Sequence, residues 1–184
     1  MDTKSALTVF ALIVLTAGGF FLYTNYGGFA AGPQKIYSSD TYGLSFEYPA
    51  TYSLQEIDLG GSGGVPHHAI VLIAESAAQI PAASDGPPAI TVELYRNDFS
   101  QRQLENWVRG SSVSNFTQSI DGRLAAQTVA GVPALFYRWD GLYRSDTYAL
   151  GHGTNVILLS VTYNAPDDQI RQDFDQLISS LTLY

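Results

Sequence analysis

The chain has 184 residues, with 17 acidic and 9 basic side chains, a formal net charge of −8 and no cysteine. The acidic balance excludes the basic stripe that nucleic-acid binding requires, and the lack of cysteine excludes disulfides, thiol catalysis and thiolate metal sites. Roughly 145 residues follow the N-terminal segment, which is enough for one domain with its own core.

An uncharged, strongly apolar run extends from Ala6 to Tyr23. As a helix it would be roughly 27 Å long, close to the thickness of a hydrocarbon core, so it predicts a transmembrane signal anchor within residues 1–26. Lys4 precedes the run, and the next positive charge is Lys35. This bias predicts a single-pass cell-membrane protein with its N-terminus inside and its domain outside the cytoplasm.

Three alternatives to a membrane anchor remain for this run. A cleaved secretory signal would end after Ala30, with Gly28 and Ala30 as its small residues, and would release a secreted domain. A pilin-like helix would assemble filaments, although the run contains no Glu. A buried core helix would have to be covered on all sides. After the run, residues 27–35 (GGFAAGPQK) are predicted to form a flexible linker.

Hydrophobic patterning predicts mainly strands from residue 36 onward. In chain order the predicted strands cover residues 44–48, 52–59, 69–74, 90–95, 124–129, 134–140, 142–150 and 156–163. The continuous apolar run at 69–74 predicts a central strand that is covered on both faces. The Asp140-Gly141 pair predicts a two-residue hairpin, and the last four strands predict an antiparallel meander.

Two helices are predicted among these strands. The first follows an N-cap at Ser100 and ends at Gly110. The second begins at Pro166, and its apolar stripe consists of Ile170, Phe174, Leu177, Ile178 and Leu181. Strands and packing helices without regular β-α-β alternation predict an α+β fold in which an antiparallel sheet is flanked by helices.

Three segments of the sequence resemble a known family. They are TYGLSFEYPATY at 41–52, AGVPALFYRW at 130–139 and FDQLISSL at 174–181. In this order and spacing they are similar to the PsbP-like domain, a family that includes extrinsic subunits of photosystem II and anchored bacterial relatives. The resemblance covers residues 36–184 and implies a PsbP-like sandwich outside the cytoplasm, without catalytic activity or cofactor.

The photosynthetic role of the family does not transfer residue by residue. Photosynthetic members help to retain calcium and chloride at the oxygen-evolving cluster, and their docking surface is expected to be rich in lysine. Lys4 and Lys35 are the only lysines here. We therefore carry over none of the family's binding residues.

The histidines are the candidate ligands of a metal site. His67, His68 and His152 are the only histidines, and a carboxylate such as Asp58 could complete a divalent metal site. Because neighbours on a strand point to opposite faces, His67 and His68 could share a metal only if the glycine-rich residues before them distorted the backbone. Surface or hydrogen-bonded polar positions are the simpler interpretation.

Aromatic side chains on the predicted strands form a candidate binding face. Its members are Tyr95, Tyr137, Trp139, Tyr143 and Tyr148. Aromatic rings with polar tips favour interfaces when exposed, and the alternative is a core covered by the helices. The sequence thus predicts a noncatalytic, membrane-tethered module that binds an extracytoplasmic or membrane protein and no nucleic acid. A histidine- and carboxylate-dependent metal hydrolase or metal-binding protein is the alternative.

Overall fold

A computed structural model describes residues 32–58, 67–77, 86–96 and 103–184. Residues Gln34–Tyr184 form one compact unit. The predicted anchor at 1–26 and most of the linker lie outside the described residues. The first α-helix has Gln103 as its N-cap, so the predicted N-cap at Ser100 is wrong. In the part of the chain that the structure describes, no helix is long and apolar enough to cross a membrane.

The described residues form ten strands and two α-helices. The strands are β1 (Gln34–Ser39), β2 (Leu44–Pro49), β3 (Tyr52–Asp58), β4 (His67–Ala74), β5 (Ile90–Arg96), β6 (Ala125–Val129), β7 (Val132–Asp140), β8 (Arg144–His152), β9 (Asn155–Tyr163) and β10 (Thr182–Leu183). The helices are α1 (Leu104–Gly110) and α2 (Gln169–Ser180), and two short 3-10 turns, Ser112–Ser114 and Phe116–Gln118, follow α1. The predicted strands are all present, whereas β1 and β10 were not predicted.

The strands form two antiparallel sheets. The small sheet has the order β1-β2-β10, and the large sheet has the order β3-β4-β5-β9-β8-β7-β6. The run from β6 to β9 is the predicted meander. Strand β4 is second from one edge of the large sheet rather than central. The prediction of an antiparallel α+β fold with flanking helices is confirmed for the described domain.

Two hydrophobic cores lie on opposite faces of the large sheet, and the alternation along β9 shows how one strand serves both. Its residues Ile157, Leu159 and Val161 face the first core, together with side chains of the small sheet and of α2. Val156 and Leu158 face the second core, which α1 and the second 3-10 turn cover. The predicted apolar stripe of α2 packs entirely against the first core.

The start of α2 differs from the prediction. The helix begins at Gln169, not at Pro166. The carboxylate of Asp168 accepts hydrogen bonds from the backbone N–H groups of Asn164 and Ala165, at 2.8 and 2.9 Å. Those bonds fold the residues around Pro166 into a turn, because the short Asp side chain competes for backbone donors before the helix begins.

The predicted two-residue hairpin at Asp140-Gly141 is also wrong. Asp140 pairs with Arg144, so residues 141–143 form a three-residue loop. A two-residue turn occurs instead between Val129 and Val132, where residues 130 and 131 have φ of 49° and 77°. Both turn residues adopt positive φ, as a type I′ turn requires.

Candidate functional site

The candidate metal ligands lie at one end of the large sheet. Strand β3 ends at Asp58, β4 begins at His67, and β8 ends at His152. A cavity of about 160 Å³ opens at this end and is lined by Tyr42, Asp58, His67, His68, Leu94, Arg96 and Asn155. The antiparallel register places Asp58 directly opposite His68.

His68 is fixed by two acidic side chains and one aromatic ring. Its Nδ1 atom lies 2.6 Å from Asp58 Oδ1 in a hydrogen bond, and its Nε2 atom lies 3.2 Å from Glu56 Oε2, at ion-pair distance but without hydrogen-bond geometry. An ionised carboxylate only accepts hydrogen bonds, so Nδ1 is the donor to Asp58. The ring of Tyr42 stacks on the imidazole with a centroid distance of 4.4 Å. His68 is 8% exposed and occupies a structural position.

Glu56 forms a further link between the two sheets at this end. The Tyr37 hydroxyl on β1 donates a hydrogen bond to Glu56 Oε2 on β3, at 3.1 Å. Burial raises the pKa of Tyr37 to about 12, and the nearby negative charge of Glu56 contributes to the increase. Tyr37 is therefore a neutral donor at physiological pH, which favours this contact.

His67 points to the opposite face of the sheet from His68. Its ring stacks on Tyr95, with centroids 4.1 Å apart, and Tyr95 belongs to the second core. The Nε2 atom of His67 lies 3.2 Å from Glu93 Oε1, at ion-pair distance but without hydrogen-bond geometry. The period of a strand thus separates the two adjacent histidines.

His152 follows the alternation of β8 and lies on the same face as Leu150 in the first core. It adjoins the turn between β1 and β2, where a β-carbon added to Gly43 would lie 2.9 Å from its Nε2 atom. Within the described ranges, no group of three His, Asp or Glu side chains is placed to hold one metal ion. The fold brings Asp58 to His68 and separates His67 from them, and metal binding by these residues stays an alternative hypothesis.

Four of the five aromatic candidates are divided between the two faces of the large sheet, and Tyr143 lies in the loop between β7 and β8. Tyr95 and Tyr137 are 4% and 2% exposed and belong to the second core. The indole of Trp139 donates to Thr147 Oγ1 at 3.0 Å, and the Tyr143 hydroxyl donates to the Gly86 carbonyl at 2.8 Å. Tyr148 packs on the first core, near Phe174. Tyr95 and Tyr137 therefore occupy the core positions that the sequence also allowed.

A second polar cluster, which the sequence did not predict, lies at the opposite end of β8 and β9. The carboxylate of Asp146, a residue that is 5% exposed, accepts hydrogen bonds from Arg138 Nε at 3.0 Å and from the Tyr163 hydroxyl at 3.0 Å. It also accepts from Arg171, at 2.6 Å from Nη2 and 3.2 Å from Nε. The sequence did contain one signal for this cluster, since Asp146 lies on the inward face of a predicted strand. A carboxylate in such a position needs cationic or N–H partners.

The two polar clusters suit binding and packing better than hydrolysis. The pair of His68 and Asp58 has the geometry of the orienting half of a catalytic triad. The other ring nitrogen of His68, however, faces the Glu56 carboxylate instead of a hydroxyl nucleophile. In the Asp146 cluster the carboxylate is saturated with four donated hydrogen bonds, which leaves it no role as a base.

Solved structures share this fold. Cyanobacterial PsbP (CyanoP) from Synechocystis sp. PCC 6803 is similar to this chain with a TM-score of 0.53 and 19% identity, over 86% of this chain and 96% of that one. A crystal structure from Bacteroides thetaiotaomicron VPI-5482 is similar with a TM-score of 0.52 and 11% identity, over 84% of this chain and 49% of that one. No protein-family model and no curated protein sequence matches the chain. The chain has a PsbP-like fold, which confirms the resemblance read from the sequence.

Proposed function

We propose that the protein is a noncatalytic binding or assembly module that residues 6–23 tether to a membrane and that acts outside the cytoplasm. The observation that carries the proposal is the combination of a PsbP-like fold with an uncharged apolar segment at the start of the chain. A segment of that length and composition suits a single membrane span.

The polar chemistry of the described residues supports a noncatalytic role. His68 is hydrogen-bonded to Asp58 and stacked on Tyr42, so its imidazole is occupied in holding the two sheets together. The cavity beside it has a volume of about 160 Å³, below the range of roughly 300–1,000 Å³ that is typical of small-ligand sites.

The charge and the surface favour a protein partner. A net charge of −8 disfavours nucleic acid and anionic lipid headgroups. Large apolar side chains are exposed in the described domain at Ile36, Ile120 and Leu142. The central part of a protein interface is apolar, and exposed side chains of this kind can contribute to one, so we infer an extracytoplasmic or membrane protein as the partner.

Membrane topology tests the tether. With a tag at the C-terminus, protease added to intact cells should remove the tag, and alkaline carbonate should leave the protein in the membrane fraction. The double substitution Leu12→Arg and Leu15→Arg is the matched control, because each arginine costs about 2.5–3.5 kcal/mol at the centre of a span and should release the protein from the membrane. Protection of the tag would overturn the extracytoplasmic location, and a soluble chain shortened by about 30 residues would replace the tether by a cleaved signal.

A further inference from the structure

A second cavity, of about 460 Å³, lies at the end of the large sheet opposite to the histidines. It is lined by Ile120, Arg138, Asp140, Arg144, Tyr163, Pro166 and Arg171. This pocket is thus formed by the end of β7, the start of β8, the end of β9 and the turn before α2. Its volume falls within the range of roughly 300–1,000 Å³ that is typical of ligand sites.

The cavity concentrates positive charge in an acidic protein. Three arginines line it, although the whole chain has only 9 basic residues against 17 acidic ones. The carboxylates of Asp140 and Asp146 lie beside these arginines, and Asp175 adds a further negative charge near Arg171. An arginine guanidinium matches the planar geometry of a carboxylate and binds it with two parallel hydrogen bonds.

Two of the arginines are held in place by the buried Asp146. Arg171 donates to Asp146 and to the Pro166 carbonyl, and its guanidinium lies 4.7 Å from the centroid of the Tyr163 ring. Arg138 donates to Asp146 through Nε and keeps its side chain 54% exposed. Side chains that are already ordered lose less conformational entropy when a ligand binds.

The third arginine is available to a ligand. Arg144 is exposed, and among residues 32–58, 67–77, 86–96 and 103–184 it has no ion-pair partner. It begins β8 directly opposite Asp140, so it stands at the mouth of the cavity formed by the strand ends. An unpaired guanidinium beside two ordered ones is well placed to bind one additional anion.

The surroundings favour a ligand with one negative charge and an apolar body. Ile120 lines the cavity and is 58% exposed, and Leu142, in the loop between Asp140 and Arg144, is 64% exposed. The Asp140 carboxylate and the net charge of −8 would repel a second negative charge on the ligand. A terminal carboxylate attached to apolar residues satisfies both conditions.

We infer that this cavity binds the C-terminal carboxylate of a polypeptide that ends in apolar residues, with Arg138, Arg144 and Arg171 facing the carboxylate and Ile120 contacting the last side chains. The inference rests on the proposed function, since it supplies the partner contact of a protein-binding module. It adds the chemical class of the bound group and the residues that recognise it.

Calorimetric titration of the full-length chain in lipid nanodiscs tests the inference, with N-acetyl-Ala-Leu-Leu as the probe. The free acid should bind at least about tenfold more tightly than the C-terminal amide, because amidation removes the charge that the guanidinium groups recognise. Arg144→Gln should weaken binding of the acid about tenfold, and Asp140→Asn should strengthen it about threefold by removing a repulsive charge.

Arg96→Gln is the matched control, because it removes the same charge from an exposed strand residue that lines the other cavity. It should leave the affinity unchanged, and circular dichroism should show that all variants are folded.

Equal binding of acid and amide, or equal weakening by Arg96→Gln and Arg144→Gln, would overturn the inference. Isovalerate or inorganic phosphate binding as tightly as the peptide would also overturn it, because the cavity would then bind a small oxyanion. A failure here, with a partner still captured in the membrane, would leave the proposed function standing.

Discussion

Tyr42 and His68 stack with their ring centroids 4.4 Å apart, and this contact joins the turn between β1 and β2 to the second strand of the large sheet. The hydrogen bond from Tyr37 to Glu56 connects the same two sheets nearby. Polar and aromatic contacts therefore connect the two sheets at this end of the first core, beyond its apolar side chains.

A double-mutant cycle should detect the stacked pair as a coupled unit. Tyr42→Ala and His68→Ala, measured by urea unfolding, should show a coupling energy of about 0.5–1.5 kcal/mol, since an aromatic pair stabilises the fold beyond its buried area. His67 lies on the other face of the sheet, so a cycle of Tyr42→Ala with His67→Ala serves as the control and should give a coupling near zero. Equal coupling in both cycles would contradict the assigned faces.

Removal of the buried carboxylate should destabilise the domain. Asp146→Asn leaves the donors of Arg138, Arg171 and Tyr163 without their charged acceptor, so the free energy of unfolding should fall by about 2 kcal/mol. Asp167→Asn, at an exposed position before α2, makes the same chemical change and should alter stability by less than about 0.5 kcal/mol. If both variants unfold at the same urea concentration, Asp146 does not anchor α2 to the sheet.

Gly43, in the segment TYGLSFEYPATY, should not tolerate a side chain. Gly43 has φ of +62°, and a β-carbon there would overlap the carbonyl oxygen of Tyr184 and crowd His152. Gly43→Ala should therefore cost about 2 kcal/mol or more, from backbone strain and the overlap together. Gly131 also has positive φ, but a β-carbon there meets no atom within 4 Å, so Gly131→Ala should cost only about 1 kcal/mol. If Gly131→Ala lowered the thermal unfolding temperature more than Gly43→Ala, the steric explanation for Gly43 would be refuted.

Metal binding by the histidines has a direct test. Because His67 and His68 lie on opposite faces, we expect titration of the full chain with zinc or copper to give no heat above the buffer. The variant with His68→Gln and His152→Gln is the control for any signal. Heat that appears in the wild type and disappears in this variant would establish a site that includes one or both of these histidines.

Short-range patterns were sufficient to predict most of the fold. Alternation identified β2 and β5, and the apolar stripe from Ile170 to Leu181 identified the face of α2 that packs on the first core. Strand β1 was missed because Tyr37 is its only buried residue, while Ile36 is 70% exposed, so no alternating signal was present. Strand β10 has two residues and exists only through its pairing with β2.

The polar clusters depend on contacts that are distant in sequence. The pairing of Asp58 with His68 follows from the hairpin of β3 and β4, and the sequence had named both residues. Asp146 and Arg171 are 25 positions apart and meet only when α2 packs across the sheet. The residue pattern along one strand does not indicate which residues of α2 that strand will contact. The arginine-lined cavity could therefore be recognised only from the structure.

Photo-crosslinking in the native membrane tests the central claim most directly. A photoreactive residue placed at Leu142 or at Ile36, both exposed in the described domain, should capture the same extracytoplasmic or membrane protein in repeated experiments. The capture should persist when His67, His68 and His152 are changed together to Gln in a chain that remains folded, because a noncatalytic module does not need their imidazoles. No reproducible partner from either position, or loss of capture in the folded histidine variant, would contradict the account.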